Sequence, residues 1–133
     1  MLKVLIVEDE LDLREMYKVQ FETTGAQVFG ADNIEDGFKI AKKEKPDVAL
    51  VDLLIKQDEG DKTQAPNGFI LLDKLQAGKE TKNTKVVIIS NLDTPEAKDE
   101  AKKKGAVGYI MKAETVPKDV VDKVRGFVGV LGK

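Results

Sequence analysis

Five side chains stand where short apolar runs of this sequence stop. Glu8 and Asp9 follow VLIV, Asp52 closes VALVD, Ser90 closes VVIIS, and Lys112 follows YIM. Singly, each has an ordinary reading: Asp9 as a helix cap, Ser90 as the start of a turn, Lys112 as a solvated cation. Their conjunction asks for more. Two ionised carboxylates roughly 5 Å apart repel by about 3 kcal/mol at an effective dielectric of about 20, so three acids meeting in one crevice need a cation or raised pKa values.

The chain has no histidine and no cysteine. That excludes Ser-His-Asp and Cys-His catalysis, imidazole and thiolate zinc sites, and disulfides. What is left is carboxylate, lysine and hydroxyl chemistry, which suits a hard divalent ion in an all-oxygen site, magnesium first and manganese second. A carboxylate beside magnesium can act as a nucleophile toward phosphorus and become an aspartyl phosphate. Lys112 would then neutralise one phosphoryl oxygen and Ser90 donate a hydrogen bond to another.

The elements that must position these groups follow from the patterning. Val- and Ile-rich strands are expected near Lys3–Val7, Gln27–Ala31, Val48–Val51, Val86–Ser90 and Gly108–Met111. Between them lie helical stretches, and this alternation marks a parallel sheet covered by helices on both faces. In the first helix, Asp12–Thr23, the core stripe is read as Leu13, Met16, Tyr17 and Val19. The second, Ile34–Lys43, is stopped by Pro46, the third runs Gly68–Gln76, and Pro95 and Pro117 open the last two. The lysine clusters at 42, 43 and 45 and at 102–104 read as dipole compensation at helix ends rather than a phosphate patch. In an open parallel sheet the crevice beyond the carboxyl ends of the strands is the usual ligand site, and all five side chains fall there.

With 133 residues and 41% hydrophobic residues, one domain with one sizeable core is expected, covering 1–133. The net charge of −2 despite 35% charged residues argues against direct nucleic-acid binding. The start is too short for a secretory segment and no run reaches membrane-spanning length, so a soluble cytoplasmic protein without membrane contact is expected. The last residues, GVLGK, are expected to fray.

Taken in order, VLIVEDE, DVALVDLL, VVIISN and GAVGYIMK resemble the receiver domain of two-component response regulators over nearly the whole chain. The resemblance implies a flavodoxin-like, three-layer, doubly wound α/β fold with a five-stranded parallel sheet ordered 2-1-3-4-5. It implies that Asp52 is the phosphoacceptor, with Glu8, Asp9, Asp52 and the backbone carbonyl of Leu54 on the metal and Asp9 a direct ligand. Ser90 and Lys112 would bind the phosphoryl group, and Asp52 and Lys112 would carry the chemistry. The chain would assist its own phosphorylation and dephosphorylation rather than work as an enzyme. The implied switch moves Ser90 toward the phosphoryl group and lets Tyr109 turn inward. The partners implied are a sensor histidine kinase or phosphotransfer protein and a downstream protein that docks on the fourth helix, fifth strand and fifth helix, roughly Pro95 to Val130. The expected state is a monomer or a phosphorylation-dependent homodimer of a stand-alone receiver.

Three features depart from that pattern. The loop after Asp52, about 55–67 with IKQDEGDKTQAPNG, is several residues longer, and reads as a mobile surface loop or as a lid or partner-selective element. Ala113 replaces the usual proline after the lysine, so a trans peptide is expected. Leu54 and Leu92 are apolar where attacking water must pass, which implies slow self-dephosphorylation. The competing reading is a receiver-like interaction module that acts without phosphate. A flavodoxin-like cofactor binder is disfavoured because EDELDLR presents carboxylates where a phosphate would sit, and a kinase or phosphatase because no GxxxxGK[ST] loop is present.

Overall fold

The computed structural model describes residues 1–63 and 65–129. Gln64 in the long loop and residues 130–133, where fraying and the end of the partner surface were expected, lie outside the described residues. Strand and helix alternate as β1 (Lys3–Val7), α1 (Leu11–Glu22), β2 (Gln27–Ala31), α2 (Ile34–Glu44), β3 (Val48–Asp52), α3 (Gly68–Ala77), β4 (Lys85–Ser90), α4 (Pro95–Lys103), β5 (Gly108–Met111) and α5 (Pro117–Phe127). A short 3-10 turn at Lys112–Glu114 separates β5 from α5. The five strands form one parallel sheet in the order β2-β1-β3-β4-β5. No helix among the described residues is long and apolar enough to cross a membrane.

The strands are continuous apolar runs because both faces of the sheet are covered. Along β1 the period of two sends Val4 and Ile6 to the side of α1 and α5, and Leu5 and Val7 to the side of α2, α3 and α4. Local signals bound the helices. Asn33 caps α2 by accepting from the Asp36 N–H, Thr94 caps α4 by accepting from the Ala97 N–H, and prolines open α4 and α5. Lys45 closes α2 in the left-handed conformation, at φ 50°, just before Pro46. Lys42, Lys43, Lys102 and Lys103 fall in the last turns of α2 and α4, as dipole compensation requires.

The stripe expected on α1 is corrected by the structure. Tyr17 and Phe21 are its fully buried residues, whereas Met16 and Val19 are about half exposed. Positions 13, 17 and 21 repeat every four residues, so the face that buries two aromatic rings prevails over the one that would bury Met16 and Val19.

The connection from β3 to α3, residues 53–67, is tied down at several points. The N–H groups of Ile34 and Glu35, unpaired within α2, donate to the carbonyls of Lys56 and Gln57 at 3.1 and 3.0 Å. Asn33 Nδ2 reaches Glu59 at 3.1 Å, and Lys56 lies between Asp32 and Glu59. Asp61 accepts from the N–H groups of Gln57 and Thr63, and Asn67 Nδ2 donates to the carbonyl of buried Ile55 at 2.8 Å. Residues 56–59 of the loop thus rest against the corner between β2 and α2.

Gly68 is required where this loop ends. It donates to the Leu53 carbonyl at 2.9 Å, and a Cβ there would lie 2.8 Å from Leu53 Cα and 2.9 Å from the Asp52 carbonyl oxygen. Gly68→Ala should destabilise the fold by about 1–3 kcal/mol, whereas Gly126→Ala, inside α5 with open space around it, should stabilise it by about 0.4–1 kcal/mol. Urea unfolding of the two variants beside the parent checks both signs.

Candidate functional site

The site is a product of strand register. β1 and β3 pair with Val7 opposite Val51, so the next residues, Glu8 and Asp52, emerge side by side at the carboxyl end of the sheet. Ser90 ends β4 and pairs with Met111 at the end of β5. Lys112 therefore starts about 10 Å from β3, two strand spacings away, a gap that a lysine side chain can span. Its Nζ lies 2.8 Å from Glu8 Oε1 and 2.9 Å from Asp52 Oδ2.

The neighbouring backbone holds both acids. The Glu10 N–H donates to Glu8 Oε2 at 3.0 Å, and the Leu54 N–H to Asp52 Oδ1 at 3.3 Å. Arg14, one turn into α1, donates to the Glu8 carbonyl at 2.7 Å and fixes the loop carrying Asp9. Glu8 and Asp52 are buried while Asp9 is half-buried, and one carboxylate oxygen from each of the three lies within 4.8 Å of the others. Glu8 Oε1 is enclosed and has the Lys112 ammonium as its ion-pair partner at 2.8 Å. A donor set of three carboxylates fits a hard divalent cation.

The electrostatics follow from burial. Burial, and then the charge of Asp52, push Glu8 up to about 7 against the pull of Lys112. Burial likewise raises Asp52, opposed by its hydrogen bond and charge interaction with Lys112. For Lys112 burial acts downward, but its contacts with Glu8 and Asp52 outweigh it and hold the ammonium above its ordinary value. The lysine stays charged and the acids compete for it.

The other expected residues occupy the same end of the sheet. Ser90 is fully buried, and its Oγ accepts from the Leu92 N–H at 3.0 Å, a bond that does not use the hydroxyl proton. Tyr109 is half-buried, with its hydroxyl donating to the Leu92 carbonyl at 2.6 Å, so it already engages the β4–α4 loop. The Lys112–Ala113 peptide is trans. Arg14, Asn33 and Asn91 escaped the sequence reading. Asn33, followed by Asp36 at the third position, carried a capping signal, but Arg14 and Asn91 act on backbone groups distant in sequence and left no local pattern.

Three comparisons bear on this arrangement. Residues 4–125 match the family described as response regulator receiver domain. Protein PilH of Pseudomonas aeruginosa is 35% identical over 114 residues, which cover 84% of this chain and 86% of that protein. The transcriptional regulatory protein YdfI of Bacillus subtilis is 29% identical over 95% of this chain but only 56% of its own length. The chain thus spans about half of such transcriptional regulators. Among solved structures, the chemotaxis response regulator CheY4 of Vibrio cholerae superposes with a TM-score of 0.81 at 24% identity, covering 96% of this chain and 98% of that one. A CheY-like receiver domain protein from Methanospirillum hungatei gives 0.79 at 23%, covering 96% and 94%. Both share the fold.

The raised carboxyls set a pH dependence. Between the ordinary glutamate value of 4.5 and about 7, the folded state without metal holds a proton on Glu8 that the unfolded chain has released. Its stability should therefore fall as pH rises through that window, by at most about 3 kcal/mol. The raised Lys112 contributes stability throughout, since that is lost only above the ordinary lysine range. Thermal melts in chelator from pH 4.5 to 8 should show the decline, and added magnesium should stabilise more at pH 8 than at pH 5.5, where it competes with the proton.

Proposed function

This chain belongs to the response regulator receiver domain family, and from that premise we propose that Asp52 is its phosphoacceptor in two-component signalling. The supporting observation is Lys112 suspended between Glu8 and Asp52 at 2.8 and 2.9 Å in a crevice lined by a third acid, Asp9. The donor is the phosphohistidine of a sensor kinase or phosphotransfer protein. An Asp52 oxygen attacks phosphorus as the P–N bond breaks, and the imidazole nitrogen leaves with the bonding electrons. Glu8, Asp9, Asp52 and the Leu54 carbonyl would hold a magnesium ion, or manganese in its place, which when bound would supply charge neutralisation to the phosphoryl oxygens.

The protein's own groups do the rest. Asp52 reaches the reaction buried and oriented by the Leu54 N–H. Lys112 releases Asp52 Oδ2 and turns its ammonium to a phosphoryl oxygen, stabilising charge where it accumulates. Ser90 donates its hydroxyl proton to another oxygen while still accepting from the Leu92 N–H. Leu92, whose N–H donates to Ser90 and whose carbonyl accepts from Tyr109, then links the phosphoryl group to the α4–β5 surface. The phosphoryl group favours this Tyr109-engaged arrangement over a competing one, and so changes the surface formed by α4, β5 and α5 for a protein partner. An interaction module indifferent to phosphate would have no use for a self-repelling acid cluster around a single lysine.

Intact-mass spectrometry after incubation with magnesium and acetyl phosphate tests the acceptor. The parent should gain one phosphoryl group and Asp52→Asn none; a folded, magnesium-binding parent that gains none would leave the phosphate-independent module. Replacing Leu54 or Leu92 with a polar residue should shorten the lifetime of the phosphorylated form, as followed by the decay of the same mass peak, because each now hinders water.

A further inference from the structure

We propose that Asn91 is a positioning residue for the phosphorylation reaction, acting through the Ala113 N–H to hold the turn that aims Lys112 at Asp52. The inference rests on Asp52 being the acceptor and adds how the lysine is kept in place.

Lys112 has four rotatable bonds and serves two acids at once, so its backbone must be fixed if its ammonium is to stay at both. It is the first residue of a three-residue 3-10 turn whose closing bond, from the Thr115 N–H to the Lys112 carbonyl, is long at 3.5 Å. Such a turn does not hold its own orientation. Side chains bind the peptide on each side of Lys112. Thr115 Oγ1 donates to the Met111 carbonyl at 2.9 Å, a contact within the same segment. The Ala113 N–H donates to Asn91 Oδ1 at 2.7 Å, across 22 residues.

Only the second of these ties the turn to another strand end. Asn91 directly follows β4, which pairs with β3 through Ile89 opposite Asp52. The bond therefore fixes the Lys112 backbone relative to the strand bordering Asp52, and the donor exists because residue 113 is alanine; proline there would have no N–H. Asn91 also adjoins Ser90, so the neighbour of the residue that holds the phosphoryl group is bonded to the turn carrying the lysine that neutralises it. A shift of Ser90 toward a phosphoryl oxygen is passed to Lys112 through a single peptide.

The test compares the rate of Asp52 phosphorylation by acetyl phosphate, read by intact mass, in Asn91→Leu, which keeps the side-chain bulk but has no acceptor, and in Asn91→Asp, which keeps the acceptor. At salt high enough to screen the added charge, Asn91→Leu should slow the reaction about 3- to 10-fold, while Asn91→Asp stays near the parent rate. Magnesium affinity should be the same in all three. In an Ala113→Pro background, where the donor is gone, Asn91→Leu should have no further effect. Should Ala113→Pro fail to fold, amide exchange decides: the Ala113 N–H should be protected in the parent and in Asn91→Asp, and exposed in Asn91→Leu. An unprotected Ala113 N–H in the parent, an unchanged rate in Asn91→Leu, or equal slowing in both backgrounds overturns the assignment. A parent that takes up no phosphoryl group overturns the Asp52 reading itself; a phosphorylated parent indifferent to Asn91→Leu overturns only the role of Asn91.

Discussion

One ammonium group holds the site together. Glu8 and Asp52 are driven side by side by the pairing of β1 with β3, and both are buried, so their charges cannot be dissipated into water. Lys112 supplies the positive charge at contact distance from both, and it does so from two strands away from Asp52 and three from Glu8. Removing it would leave two enclosed carboxylates facing each other, which in a protein interior costs several kcal/mol or forces protonation. The register of the inner strands, the turn after β5 and the loop after β4 all matter because they set where that ammonium ends.

The crevice has two flanks built on different principles. On the β2 side, the long β3–α3 connection docks on the N-terminus of α2, lending the carbonyls of Lys56 and Gln57 to N–H groups of Ile34 and Glu35 that the helix itself leaves free. Backbone bonds, a buried asparagine and an ion-paired lysine hold this side in several places. On the β5 side, single side-chain bonds carry the connection: Ser90 to the Leu92 N–H, Tyr109 to the Leu92 carbonyl, and Asn91 to the Ala113 N–H. Individual hydrogen bonds of this kind are modest in strength and easily exchanged. The β5 side is therefore suited to rearrangement, and the β2 side to keeping the acids in place.

Where sequence reading failed, long-range contacts were the cause. α1 carries apolar residues around much of its circumference, and choosing among Met16, Tyr17, Val19 and Phe21 required knowing that α5 and the sheet offer space for two rings. The acids of the long loop find their partners in Asn33, Lys56 and nearby backbone N–H groups, contacts that the fold of the loop creates. Asn91 carries no local signal, and its acceptor role exists only because β4 and β5 are neighbours. The lysine clusters, by contrast, were readable, since helix-end electrostatics are local.

The alternation of buried strands with amphipathic helices, and the kinds of side chain left at the strand ends, follow from sequence alone, because periodicity and residue chemistry are written locally. Absence of histidine and cysteine restricted the chemistry to carboxylate, lysine and hydroxyl before any fold was considered. Which carboxylates touch, which face of α1 is buried, how the long loop docks and what steadies Lys112 were decided only in three dimensions. Each depends on groups brought together by strand register and loop closure, and no local stretch of chain carries that information.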